Sequence, residues 1–190
     1  MPTAQKQNAR EEVIRARRDM SAADMRDAAI ALAGHDWASL CGGSFVTCYS
    51  SITGEPSTAE LRKLLHDLGC TVALPVMQPE YKLAWGWDSE NLTINSFGIS
   101  EPQVDPDIDI AYAKVMFIPA LQVGLDGTRL GRGAGYYDRA LGLLPRHKYD
   151  GPLRVALAFD HEVVESVPHD ACDAAIDVIA TPTRLIKLER

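Results

Sequence analysis

Residues 127–139 read Gly-Thr-Arg-Leu-Gly-Arg-Gly-Ala-Gly-Tyr-Tyr-Asp-Arg. Gly131, Gly133 and Gly135 alternate with Arg132 and Ala134, and Tyr136, Tyr137 and Asp138 follow at once. Glycines at this spacing let backbone N–H groups converge on one point, because no Cβ blocks the approach. Arg129 and Arg132 add guanidinium donors beside those amides. Amides and guanidinium groups together suit a polyphosphate. Asp138 adds a carboxylate that can hold a magnesium ion next to the same phosphates. The segment is not a P-loop, which needs G-x-x-x-x-G-K-[ST]. It is not a dinucleotide fingerprint either, since its third glycine arrives one residue early. Glycine spacing alone fits a plain strand-to-helix turn equally well; the flanking Arg, Tyr-Tyr and Asp favour a nucleotide site.

The elements that must position this segment follow from periodicity and punctuation. Residues 6–18 predict a basic helix, with Lys6 and Arg10 four apart on one face. Ser21-Ala-Ala-Asp24 reads as a capping box that starts a second helix ending near Gly34, and Ser57-Thr-Ala-Glu60 as another. The helix after Ser57 carries Leu61, Leu64, Leu65 and Leu68 and ends at Gly69. Strands are expected at 44–50, 71–74 (stopped by Pro75), 83–87, 115–118, 153–159 and 178–181, with an edge pairing at 184–188. Residues 95–102 read as a loop, and 136–144 as a helix ending before Pro145. Continuous apolar strands alternating with amphipathic helices predict a three-layer αβα fold with a mostly parallel, Rossmann-like central sheet. In such sheets ligands bind beyond the carboxyl ends of the strands, the side on which residues 127–139 fall.

The chain has 190 residues, 46% hydrophobic and 24% charged, which suits one soluble globular domain over 1–190. A net charge of −7 argues against a general nucleic-acid binder, yet permits a local basic patch for a small anion. No apolar run is long enough for a bilayer, and residues 1–18 are too polar for a secretory signal. Cys41, Cys48, Cys70 and Cys172 form no C-x-x-C pair and read as reduced thiols of a cytoplasmic protein.

The run Ile118-Pro-Ala-Leu…Gly127-Thr-Arg-Leu-Gly-Arg-Gly-Ala-Gly-Tyr-Tyr-Asp138 resembles the signature of the 5-formyltetrahydrofolate cyclo-ligase (5,10-methenyltetrahydrofolate synthetase) family. Further matches come in the same order along nearly the whole chain. They are Lys6-x-x-x-Arg10 with Arg17-Arg18-Asp-Met-Ser21, Glu55-Pro-Ser-Thr58, Leu74-Pro75, Phe97-Gly-Ile-Ser-Glu-Pro102, and Val167-Pro168 through Cys172-Asp173 to Val178–Thr181. The resemblance implies an enzyme that uses ATP and Mg²⁺ to close 5-formyltetrahydrofolate to 5,10-methenyltetrahydrofolate, releasing ADP and phosphate. It implies Lys6, Arg10, Arg129 and Gly131 to Tyr137 (Arg132, Gly133, Ala134, Gly135 and Tyr136 included) on ATP. Asp138 and Asp173 are implied on magnesium, and Ser50, Glu55, Arg132 and Tyr136 on the folate. Arg132 and Tyr136 are implied as the catalytic residues. Its partners would be the two substrates, with no nucleic acid or membrane, in a monomer or weak dimer. Gln122, Gly124 and Cys172 depart from the family pattern, in which Ala, Asp and His or Asn stand at those places.

Two other readings stand beside this one. A paralogue of the same fold can bind folate or nucleotide without turning it over. Lys6 and Arg10 can also be a solvated helix face. His161-Glu162-x-x-Glu165 lacks the second histidine of a zinc-protease helix and is rejected.

Overall fold

Side chains that alternate along short apolar strands sort the core into two layers. Val115 and Phe117 pack on one face of the sheet, and Met116 and Ile118 on the other. The computed structural model describes residues 4–189. It holds helices α1 (Ala4–Asp19), α2 (Ala22–Ala33), α3 (Trp37–Cys41), α4 (Ala59–Asp67) and α5 (Tyr136–Gly142). Its strands are β1 (Phe45–Thr47), β2 (Thr71–Gln78), β3 (Lys82–Trp87), β4 (Thr93–Ile94), β5 (Ser100–Glu101), β6 (Val115–Pro119), β7 (Gln122–Gly124), β8 (Arg129–Leu130), β9 (Leu153–Leu157), β10 (Val163–Val164), β11 (Val178–Ala180) and β12 (Leu185–Lys187).

Seven strands form the central sheet in the order β12-β11-β9-β6-β1-β2-β3. The five inner strands run parallel, and the edge strands β12 and β3 are antiparallel to their neighbours. One face buries Leu32, Trp37, Leu61 and Leu65 from α2, α3 and α4. The other buries Leu141 of α5 together with Trp85, Ala174 and Ile176. The predicted three-layer, mostly parallel architecture is therefore the one observed. From β1 the chain steps one way to β2, and then returns past β1 to β6, β9 and β11. The switch point lies between β1 and β6, and the crevice at their carboxyl ends is where ligands bind in such sheets.

Several local expectations are corrected. Pro75 does not stop β2, which runs on to Gln78. Cys48 N donates to Ala73 O on the β1 side, and Pro75, two residues on, points the same way past the end of β1. No ladder bond is lost there, so a residue without an N–H is accepted. The capping box at Ser21 forms, with Ser21 Oγ accepting from Asp24 N at 3.1 Å. The one at Ser57 does not: Thr58 is the N-cap and makes no side-chain cap bond. Its buried hydroxyl instead donates to Tyr49 O at 2.5 Å, tying the end of β1 to α4. α5 stops at Gly142, two residues short of the expected end. Residues 93–101 hold the β4–β5 hairpin in place of part of a loop. The short helix α3 and a second sheet of β10, β7 and β8 were not anticipated.

Candidate active site

α1 delivers its two cations to the glycine segment. Arg10 Nε donates to Gly131 O at 2.8 Å, and one turn earlier Lys6 Nζ meets Asp170 Oδ2 at 2.7 Å and Asp173 Oδ2 at 2.5 Å. Lys6 is buried, so the pair is no solvated helix face. The helix is held by Arg17, whose Nε and Nη2 reach the two oxygens of Glu162 at 2.6 and 2.9 Å, while Nη2 also donates to Ala120 O. Both partners are almost fully buried.

The glycine segment is shaped by the conformations it must adopt. Gly133 and Gly135 sit at φ 103° and 76°, where a Cβ is strained. Ala134 between them stays out of that region, since Glu80, Tyr81 and Asp150 are the non-glycine residues with positive φ among those described. Arg129 enters from β8 with its guanidinium buried. Its Nη1 donates to Pro119 O at 3.1 Å and its Nη2 to Asp138 Oδ1 at 2.6 Å. Ala174 N donates to the same Asp138 oxygen. Asp173, the next residue back, thus lies beside Asp138, although 35 positions separate them in sequence.

Lys6, Arg10, Arg129, Gly131, Gly133, Gly135, Asp138 and Asp173 all line one cleft of about 900 Å³. Arg132, Ala134, Tyr136, Tyr137, Ser50 and Glu55 are not among its walls. Arg132 reaches away from the cleft, its Nε 3.0 Å from Glu55 Oε1, and Ile52 N donates to Glu55 Oε2. Ser50 Oγ accepts from Arg62 Nη1, and Arg62 is paired with Asp88. Tyr136 meets Tyr81 edge-on with ring centroids 5.7 Å apart. The Tyr137 hydroxyl is buried with no hydrogen-bond partner among the described residues, and burial raises its pKa. That side chain belongs to the core, packed on the α5 side of the sheet. Cys172 lies exposed on the cleft wall, while Gly124 packs elsewhere. A Cβ on Gly124 would come within 2.3 Å of Asp126 Oδ1 and 2.4 Å of Thr128 Oγ1, so the β7–β8 turn requires the glycine.

Residues that the motif did not single out complete the arrangement. Asp170 shares Lys6 with Asp173, Glu162 locks Arg17, and Arg139 Nη1 donates to Ala134 O at 2.9 Å while lying over the Tyr81 ring. The i, i+3 spacing of Asp170 and Asp173 was the available signal for the first. The others are contacts between distant segments, and local spacing carries no trace of them.

Burial by itself would raise the Asp173 carboxyl, but hydrogen bonds from Lys6 and from Asp170 N reverse this and hold it below the usual carboxylate range. Burial would likewise lower Lys6, and the two aspartates more than offset it, so its pKa is raised. A depressed carboxyl stabilises the fold above its unfolded pKa, and that stability is lost as pH falls through the folded value. A raised lysine stabilises below its unfolded pKa and loses that contribution above the folded one. The clasp is therefore expected to hold between about pH 4 and pH 10.5, and to weaken on either side. Protection of the amides in the first hydrogen-bonded turn of α1, taken relative to intrinsic exchange, should fall at the acid limit, while the end held by Arg17 keeps its protection. An unchanged protection of that first turn well below pH 4 would rule the clasp out as its anchor.

Comparisons with known proteins place the chain by family and by fold. The chain is 34% identical over 150 residues to a 5-formyltetrahydrofolate cyclo-ligase of Mycolicibacterium smegmatis, covering 75% of each protein. It is 30% identical over 147 residues to that of Escherichia coli, covering 74% of this chain and 79% of that one. The fold matches the 5,10-methenyltetrahydrofolate synthetase of Aquifex aeolicus with a TM-score of 0.78 at 23% identity, over 97% of this chain and 93% of that one. It matches the Mycoplasma pneumoniae synthetase with a TM-score of 0.70 at 17% identity, over 93% and 98%. The model of the 5-formyltetrahydrofolate cyclo-ligase family matches residues 2–182, and with these motifs in place the chain belongs to that family.

Proposed function

We propose that the protein is a working cyclo-ligase that closes 5-formyltetrahydrofolate to 5,10-methenyltetrahydrofolate at the expense of ATP. The observation that carries this is the cleft in which Lys6, Arg10 and Arg129 surround a glycine segment, with Arg132 linking that segment to Glu55. The formyl oxygen attacks the γ-phosphorus and ADP leaves. N10 then attacks the activated carbon and loses its proton, and phosphate departs. No protein nucleophile is needed; positioning and charge neutralisation suffice. Lys6, Arg10 and Arg129 hold the triphosphate. Glu55 accepts N–H bonds from the 2-amino-4-oxo edge of the pterin, with Ser50 and Tyr136 beside it. In the free protein Glu55 Oε1 is held by Arg132. A pterin that takes over this oxygen frees Arg132 for the transferring phosphoryl group, so folate binding readies the arginine for ATP chemistry.

Magnesium fits the donors present. Asp138 engages Oδ1 with Arg129 and Ala174 N, and Asp173 engages Oδ2 with Lys6 and Asp170 N. Among the described residues nothing bonds the second oxygen of either. Two hard oxygen donors beside a phosphate cleft match an ion that keeps its waters and arrives with phosphates. When bound, the ion neutralises charge that develops on the phosphate oxygens.

We place the enzyme in the cytoplasm, as one domain acting as a monomer or weak dimer on two small molecules, without nucleic acid or membrane. The net charge of −7 argues against a nucleic-acid partner, and no helix among the described residues is long and apolar enough to cross a membrane. Purified protein with 5-formyltetrahydrofolate, ATP and Mg²⁺ should show growth of the near-ultraviolet methenyl absorbance, abolished by EDTA. Binding of folate without such growth would establish the non-catalytic paralogue instead.

A further inference from the structure

β2 and β3 outrun the sheet that they edge. β1 pairs with β2 over residues 71–73, yet β2 continues to Gln78 and stays paired with β3 down to Lys82. The residues beyond Ala73 carry a two-stranded arm about 17 Å past the carboxyl end of β1, the side on which the site forms.

The tip of this arm is a turn that its own residues resist. Lys82 N donates to Pro79 O, and the two residues between, Glu80 and Tyr81, sit at φ 59° and 57°. A turn with both central residues in the left-handed region normally takes Asn and Gly there. Glu80 meets only Lys82, in an exposed pair. Tyr81 reaches further. Although more than half exposed, its ring lies under the Arg139 guanidinium, with Cζ 5.2 Å from the ring centroid, and meets the Tyr136 ring edge-on. Arg139 Nη1 holds Ala134 O at 2.9 Å and passes so close to Gly135 that a Cβ there would lie 2.7 Å from it. Among the described residues Arg139 pairs with no carboxylate, so the Tyr81 ring is what steadies its guanidinium.

We infer that Tyr81 is a positioning residue for the glycine segment. From the tip of the β2–β3 arm it holds Arg139 and Tyr136, and Arg139 holds the Ala134 carbonyl. Residues 133–135 thereby keep the shape that receives the phosphates of ATP. This rests on the ATP reading above. A segment left unheld would have to be ordered by the nucleotide itself, which weakens binding. Both contacts are made by the ring, so the Tyr81 hydroxyl takes no part.

Tyr81→Gly separates this latch from the fold, because glycine suits the backbone of the turn while removing the ring. Tyr81→Asn, which also tolerates that region, is the second variant, and Tyr81→Phe keeps the ring. Thermal melts confirm folding. Two measurements are made on the full chain: the rate of trypsin cleavage after Arg132 without ligand, and the affinity for MgATP by calorimetry. Tyr81→Gly is expected to be cut about tenfold faster and to bind MgATP about tenfold more weakly, the size of the two ring contacts together. Affinity for 5-formyltetrahydrofolate should change little, and Tyr81→Phe should match the unsubstituted protein throughout. Cleavage no faster in the folded variants would mean that the ring holds nothing. Faster cleavage with unchanged ATP affinity would mean that the held shape does not serve the nucleotide. A loss confined to the folate would make Tyr81 a wall of the folate site. Each of these overturns the proposal, as does a Tyr81→Phe protein as impaired as Tyr81→Gly. If the unsubstituted protein binds no MgATP, the ATP reading itself fails, while the cleavage rates still judge the latch.

Discussion

Arg132→Ala is expected to lower the turnover number by about 10³-fold or more while leaving the protein folded, since that is what arginine clamps on transferring phosphoryl groups contribute. The side chain is 41% exposed and makes one ion pair, to the buried Glu55, which keeps the Ile52 N–H as a donor, so its loss should cost about 1–3 kcal/mol and leave the protein folded. The kinetic effect far exceeds the structural one because the guanidinium is half-exposed on a loop and its loss removes one contact from the fold. Arg132→Lys should recover only part of the activity, because an ammonium keeps the charge but not the planar fork. Steady-state kinetics with both substrates, beside a urea melt, decide the matter. A folded Arg132→Ala protein with near-normal turnover would remove Arg132 from the chemistry.

Arg17→Met should destabilise the protein by about 3–5 kcal/mol, because it strands a buried carboxylate. Glu162 is fully buried, and apart from Arg17 its hydrogen-bonding donor among the described residues is Phe159 N, 2.8 Å from Oε2. Replacing both partners, as in Arg17→Met with Glu162→Leu, should recover much of the loss, since no charge is then left without a counter-ion. Urea unfolding of the two single variants and the double variant gives the coupling directly. Single losses below about 1 kcal/mol would mean that water, or His161, whose Nε2 lies 3.9 Å from Glu162 Oε1, compensates the carboxylate. The pair also matters for function. It fixes α1 at the carboxyl end of β6, and α1 carries Lys6 and Arg10 to the glycine segment.

Local chemistry was legible from the chain wherever the constraint was itself local. Gly131, Gly133 and Gly135 were readable together as glycines that leave amides open to a ligand, and two of them, Gly133 and Gly135, adopt conformations that side chains resist. Lys6 and Arg10 fall on one face because a helix has a fixed period. The apolar strands and their alternation with helices gave the layered sheet, and with it the end at which the site forms. The ordered motifs from Lys6 to Asp173 led to the family. Strands of two or three residues, as in β7, β8 and β10, are too short for any period to show, and that sheet went unseen.

What the tertiary structure decided is which partner each polar group takes. Thr58 looked like part of a capping box, yet a buried carbonyl at Tyr49 claimed its hydroxyl. Arg132 pairs with Glu55 across 77 positions, and Lys6 with Asp173 across 167. Tyr137, adjacent to Tyr136, turned into the core. Spacing along a chain fixes which backbone conformations and faces are open to a residue. Where a long side chain finds its counter-charge depends on desolvation and on neighbours that the sheet order brings in from far along the sequence, and only the assembled fold supplies those.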